Sequence, residues 1–375
     1  MALPAFLKEF TKPFLKNDIL SVDIGYTNIK VVQARKKGPG SLKVLNYCIE
    51  KTPSGCIRNG IISNLEGIAD NLGKVVANHG ISERNVKIVV SAGSNILSKV
   101  VFISKNGPGS LEERIREEVC SNMPVDMGDM KLFYRTIEGG SQEREAVIKV
   151  LVTVVPNSVI ENYMKLVRLL RFNPVAIEIP FSSVARFFSK GIAVAEGGRY
   201  IPFRPVTAEK GATAVIDLGS ETTNLSVLND GTLEFNRIVL AGGKNLDEVV
   251  AKSLDIGKEA AKLYKENYGI TAPPGISSEV EEAVGMCIRE YLGEILGNIR
   301  RSLDFYVDRC GGQSIERAFF IGGGSGLKGL KAFAEEALGI PVYTIDMVEV
   351  KGLEFEENLN REKIRYLVNA LGIAM

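Results

Sequence analysis

A chain of 375 residues, 45% hydrophobic and 24% charged, has material for two or three globular domains and none of the bias of a disordered or fibrous protein. With 46 basic and 45 acidic residues its net charge is +1, so nothing in the charge balance favours broad binding to nucleic acid. Its single histidine excludes a multi-histidine metal site, its five cysteines form no C-x-x-C pair, and no apolar run approaches the ~18–20 residues that span a bilayer. A reducing, cytoplasmic setting with buried thiols follows from this composition.

In chain order, residues 1–17 place Leu3, Phe6, Leu7, Phe10 and Phe14 on one helical face, limited by Pro4 and Pro13. Lys8, Glu9 and Lys12 interrupt any secretory signal there. This extension either packs on the folded body or meets a membrane surface or partner. Strands are predicted over Ile19–Asp23, Ile29–Ala34, Lys43–Glu50 and Val86–Ser91, with a helix over Gly67–His79. His79, beside Gly80, reads as a helix-end residue.

Residues 96–174 read as an α+β module: strands Leu97–Ile103, Lys131–Ile137 and Ala146–Val154, helices Leu111–Asn122 and Val159–Leu170, and a turn at Gly139-Gly140-Ser141. A connecting segment covers 175–210. From about Ala212 a second series begins, with strands Thr213–Asp217, Asn224–Leu228 and Thr232–Val239, then helices from Asn245 to Val307. Strand Arg317–Ile321, helix Leu327–Leu338, strand Pro341–Asp346 and a last helix over Arg361–Leu371 complete the reading.

Two segments resemble each other. Asp23-Ile24-Gly25-Tyr26-Thr27-Asn28-Ile29-Lys30 and Asp217-Leu218-Gly219-Ser220-Glu221-Thr222-Thr223-Asn224 are both an apolar strand ending in Asp, a glycine turn with small polar residues, and a second strand. Glycine lets the backbone approach an anion, and successive N–H groups in such a turn make an anion nest. A strand-end aspartate can hold Mg²⁺ through its retained water. One such hairpin is common; two in matching halves point to a duplication with a nucleotide between the copies.

A third element, Phe319-Phe320-Ile321 followed by Gly322-Gly323-Gly324-Ser325-Gly326-Leu327, is a glycine-rich strand-to-helix turn. Gly324 to Gly329 also matches G-x-G-x-x-G, with Asp346 at the Rossmann distance, but too little chain remains for a dinucleotide domain. No G-x-x-x-x-G-K-[ST] loop is present.

As a set, these residues resemble the sugar kinase, chaperone and actin superfamily. Asp23–Lys30 and Asp217–Thr223 look like its two phosphate motifs, Ile321–Leu327 its adenosine motif, and Asn369–Ala374 its second connecting helix. The inserted module and Glu178-Ile179-Pro180-Phe181, leading to Arg186, resemble the PilM branch of that superfamily. FtsA has a similar architecture but ends in an amphipathic membrane helix, whereas this sequence stops at Met375 directly after the connecting-helix motif.

The resemblance implies an α/β, duplicated actin-like (ribonuclease H-like) fold. Residues 18–95 would form the first half, 96–174 the inserted subdomain, 211–346 the second half, and 347–375 the helix that packs back on the first. It implies ATP (or ADP) and Mg²⁺ as cofactors. Asp23 and Asp217 would hold Mg²⁺ through water. Gly25, Tyr26, Thr27, Asn28, Gly219, Ser220 and Thr222 would contact phosphate, Lys30 would neutralise it, and Gly322, Gly323 and Gly324 would admit the adenosine. Glu178 is the candidate catalytic residue, one place away from the position before Pro180 where active relatives often carry an acid or amide. Glu221 puts a negative charge in a phosphate turn, and Lys262 stands where the superfamily's Ala-Glu-x-x-Lys has Glu. The implied partners are the N-terminal cytoplasmic peptide of the inner-membrane protein PilN and the pilus platform, with membrane contact only through them and self-association left open. FtsA-like cytoskeletal and small-molecule kinase roles are the alternatives.

Overall fold

The computed structural model describes residues 18–38, 41–58, 60–91, 93–123, 126–137, 147–196, 199–203, 211–270, 278–356 and 361–375. The helical face from Leu3 to Phe14 and the Gly139-Gly140-Ser141 turn lie outside them.

The chain opens with β1 (Asp18–Ile24), β2 (Asn28–Gly38), β3 (Ser41–Lys51), the short hairpin β4 (Ile57–Arg58) and β5 (Ile61–Ile62), α1 (Leu65–Asn78) and β6 (Asn85–Val89). Then come β7 (Leu97–Ser104), α2 (Leu111–Asn122), β8 (Met130–Ile137), β9 (Val147–Pro156), α3 (Asn157–Leu169), β10 (Asn173–Glu178), α4 (Pro180–Phe188), β11 (Ile192–Glu196) and β12 (Arg199–Phe203). The second half has β13 (Ala212–Leu218), β14 (Thr223–Asn229), β15 (Thr232–Val239), α5 (Gly243–Ser253), α6 (Lys258–Tyr268), α7 (Glu279–Arg309), β16 (Ile315–Ile321), α8 (Leu330–Leu338) and β17 (Val342–Thr344). β18 (Val348–Val350), β19 (Leu353–Phe355) and α9 (Ile364–Ala374) close it.

β1 is buried on both faces: Leu20, Val22 and Ile24 are buried, and so are Ser21 and Asp23 between them. A strand covered on both sides belongs at the centre of a sheet. The first sheet runs β10-β6-β1-β2-β3-β19 and the second β15-β14-β13-β16-β17. In each, three strands form an antiparallel meander, and two later strands add parallel to the first of the three. Apart from β19, which adds to the edge of the first sheet, the order is the same in both halves, which is the duplicated actin-like topology.

α9 is last in the chain but packs on the first sheet. The Ser21 hydroxyl donates to the Ala370 carbonyl at 2.7 Å, and the Lys87 ammonium to that of Ile373 at 2.8 Å. Buried carbonyls at a helix end need such partners.

Strands β7-β9-β8 form a separate sheet covered on one face by α2, with a core of Val101, Ile103, Ile115, Val119, Val150, Val152 and Val154. α2 starts at a capping box in which Ser110 and Glu113 satisfy each other's backbone N–H. On the sheet's other face, Lys149 meets Glu234 of β15 at 3.1 Å. Glu234, 2% exposed, also accepts from Tyr306 Oη and Asn229 Nδ2, each at 2.9 Å.

Three elements depart from the sequence reading. The helix expected from Leu327 begins at Leu330, because Gly329 takes a left-handed conformation, φ +79°. The strand expected to reach Asp346 stops at Thr344, and a 3₁₀ turn over Ile345–Met347 follows, so Asp346 ends no strand. The last helix runs three residues later than expected, Ile364–Ala374, since Leu371, Ile373 and Ala374 are all buried.

Candidate functional site

The two Asp-x-Gly turns face each other across a cleft of about 1020 Å³. Their backbones match. Gly25 N–H closes the first turn onto Asn28 O at 3.0 Å, and Gly219 N–H closes the second onto Thr222 O at 3.0 Å. Among the described residues, the N–H groups of Tyr26, Thr27, Ser220 and Glu221 bond to no backbone carbonyl. Each turn therefore offers free donors to an anion in the cleft.

Asp23 and Asp217 occupy equivalent strand ends. In the register of β1 with β2, Asp23 lies opposite Lys30, and the ammonium bonds its Oδ2 at 3.0 Å. Ser91 Oγ donates to Asp23 Oδ1 at 3.2 Å. In the second half the same register puts Asn224 opposite Asp217, so the duplication is broken there and Asp217 has no facing lysine on its own hairpin. It accepts from Asn369 Nδ2 of α9 at 3.2 Å. Burial pushes the Asp217 carboxyl up to about 6; Lys30 opposes this, Asp23 adds to it, and the Asn369 bond opposes it. A cation near both carboxylates would relieve that penalty. Among the described residues no three His, Cys, Asp or Glu side chains group into a metal cluster. Two carboxylates suit Mg²⁺, which keeps much of its water, better than a metal needing a full protein cage.

The glycine-rich turn closes the cleft on the side of the second half. Gly322 has φ +81°, and a Cβ there would lie 2.3 Å from Asp217 Oδ1, so only glycine fits beneath that carboxylate. Gly322 N–H is bonded to Arg365 O and Ser325 N–H to Gly322 O, and α8 starts beyond the turn, at Leu330, whereas the N–H groups of Gly323 and Gly324 bond to no backbone carbonyl among the described residues. The three glycines supply room, and Gly323 and Gly324 also keep free N–H groups.

Gly25, Tyr26, Thr27, Asn28, Lys30, Gly219, Ser220 and Thr222 also line the cleft, together with Asp23, Asp217 and the three glycines. Glu178 does not. It sits at the end of β10, held by the Arg186 guanidinium and by Ser183 Oγ at 3.3 Å, while Pro180 and Phe181 reach the cleft in its place. Glu221 is paired with Lys244 at 3.3 Å. Lys262 lies on the lining and meets Glu266 at 3.9 Å, while Lys265 pairs with Asp247 at 2.5 Å.

Sequence reasoning missed the start of α5. Gly243 N–H bonds Gly219 O at 3.0 Å and Lys244 N–H bonds Ser220 O at 2.8 Å, stitching the helix to the second turn. The available signal was the Gly242-Gly243 pair before an amphipathic stretch. Ser91, Arg365 and Tyr366, and Asn369 of the connecting-helix motif, carried no site role in the sequence, and all four line the cleft.

The sequence model of a family described as type IV pilus assembly protein PilM matches residues 21–375. Among solved structures, a PilM–PilN type IV pilus biogenesis complex has a chain that superposes with a TM-score of 0.77 at 21% identity, covering 95% of this chain and 97% of that one. The ethanolamine utilization protein EutJ from Carboxydothermus hydrogenoformans gives 0.54 at 15% identity over 98% and 92% of the two chains. MreB 5 of Spiroplasma citri, bound to AMPPNP, gives 0.51 at 11% over 88% and 92%. These likenesses establish the actin-like fold. The cell division protein FtsA of Neisseria meningitidis is 28% identical over 159 residues, 37% of this chain and 37% of that protein. That of Streptococcus pneumoniae is 30% identical over 166 residues, 39% of this chain and 35% of that protein. The match thus spans little more than a third of these curated relatives.

Proposed function

Because the chain belongs to the PilM family of type IV pilus assembly proteins, we propose that it is an ATP-binding scaffold whose nucleotide state sets the surface it offers to the pilus assembly machinery. The observation that carries this reading is the pair of matched turns, with Asp23 and Asp217 at their bases, facing one cleft. Phosphates would sit on the free N–H groups of both turns, with Lys30 as a nearby cation. Asp23 and Asp217 would hold the hydration shell of Mg²⁺, which supplies charge neutralisation at the phosphates. The adenosine would lie over Gly322, Gly323 and Gly324. A ligand touching both halves favours the closed arrangement by its differential affinity. Hydrolysis is slow in this reading, because Ile179 precedes Pro180 and Glu178 is tied to Arg186.

For the partner we take the N-terminal cytoplasmic peptide of PilN, bound between the first half and the module of residues 96–174. The module's own core and its contact with Glu234 make it a firm wall for such a groove. No helix among the described residues is long and apolar enough to cross a membrane. Attachment to the cytoplasmic face of the inner membrane through PilN is consistent with that. The test of the nucleotide reading is thermal unfolding with and without ATP and Mg²⁺, since a ligand that binds only the native state raises the midpoint. The parent protein should show a clear rise and Asp23→Ala should lose most of it; equal shifts in both would refute the assignment.

A further inference from the structure

One side chain spans the cleft between the two turns. Lys244 is fixed in the second half, where its backbone N–H bonds Ser220 O at 2.8 Å. Its ammonium donates to the Tyr26 phenol oxygen of the first turn at 2.8 Å and to Glu221 Oε1 of the second at 3.3 Å. It also lies 4.5 Å from the centre of the Tyr26 ring, within cation–π range. The phenol, foremost, and the carboxylate hold the ammonium's pKa above its ordinary value, so it stays charged. The pair explains how Glu221 is tolerated inside an anion-binding turn: its charge is matched by Lys244.

We propose that Lys244 is a terminal-phosphate sensor, which ties Tyr26 to Glu221 between the two turns and exchanges Glu221 for the last phosphate of a bound nucleoside triphosphate. The inference rests on the nucleotide-binding reading above. An anion seated on the free N–H groups of Tyr26, Thr27, Ser220 and Glu221 lies between the turns, beside this ammonium. Its terminal group then competes with Glu221 for the same cation, and a diphosphate ends one group short of that competition. Lys244 therefore strengthens triphosphate binding while Glu221, its own partner, weakens it. A pair serving only to brace the turns would act in one direction, since loss of either member would loosen the same contact.

The test is calorimetric titration of the full chain, stripped of nucleotide, with MgATP and MgADP. Lys244→Met should weaken ATP binding by about tenfold or more, the worth of one hydrogen bond to a charged group, with a much smaller effect on ADP. Lys244→Arg should recover most of the loss. Glu221→Gln should tighten ATP binding by about threefold, because the carboxylate that competes for the ammonium and repels the phosphate is gone while a partly exposed pair of charges is only weakly coupled. Weakening by both Lys244→Met and Glu221→Gln, or equal losses for ATP and ADP in Lys244→Met, overturns the proposal while leaving nucleotide binding in place. Failure of the parent protein to bind either nucleotide removes the underlying reading and the sensor with it.

Discussion

Replacing Asp217 by asparagine should stabilise the empty protein and at the same time abolish its response to MgATP. The amide keeps the shape of the carboxyl and can still accept from Asn369, but carries no charge. In the folded chain the carboxyl titrates at about 6 against an ordinary 3.8, chiefly because it is desolvated. At about 1.4 kcal/mol for each pKa unit, the ionised form costs the empty fold at most about 3 kcal/mol. The sign follows from proton binding: a raised folded pKa means that stability is highest at low pH and is lost as pH rises through 6. The gap in unfolding free energy between Asp217→Asn and the parent should therefore be full at pH 8, about half as large at pH 5, and nearly gone below 4. The assay is urea unfolding of nucleotide-stripped protein in a chelator, at pH 8, 6 and 5. A variant less stable than the parent at pH 8, or a gap that does not shrink between pH 8 and 5, would show that desolvation does not govern this carboxyl.

Gly242→Ala should disrupt the second turn: its Cβ would meet Ser220 O at 2.6 Å and Gly219 O at 2.8 Å, both backbone atoms that cannot swing aside. With two backbone hydrogen bonds at stake, at about 1 kcal/mol each, chemical unfolding should show a loss of about 2 kcal/mol, and the ATP-induced thermal shift should vanish. Glu234→Ala strands Lys149 against Tyr306 and should cost about 3–5 kcal/mol, the usual penalty for breaking a buried ion pair; denaturation of the full chain measures it. Steady-state ATP turnover by the isolated protein should stay far below the enzyme median of about 10 s⁻¹, which a coupled phosphate-release assay can check. A synthetic PilN N-terminal peptide should bind the intact chain and not a version lacking residues 97–154, the sheet and helix that have a core of their own; equal binding by both would take that module out of the site.

The periodicities and turn residues carried the local features of this protein. Apolar strands ending in Asp, each with a following glycine turn, were legible because strand burial and tight turning are decided within a few residues, and those turns form hairpins at Ile24–Ile29 and Leu218–Thr223. The α2 helix was legible to its ends, because a capping box is also a local device. Other features depended on residues distant in sequence. Asn369 reaches Asp217 only because α9 folds back on the first sheet. Glu178 is withdrawn from the cleft by Arg186 on the next helix, and Glu221 is neutralised by Lys244, which crosses to Tyr26 in the opposite half. Composition and spacing show which charges a chain owns. Which of them meet, and in how dry a place, is decided by the packing of the two halves, since Coulomb and desolvation energies depend on distances and burial that exist only in the folded molecule.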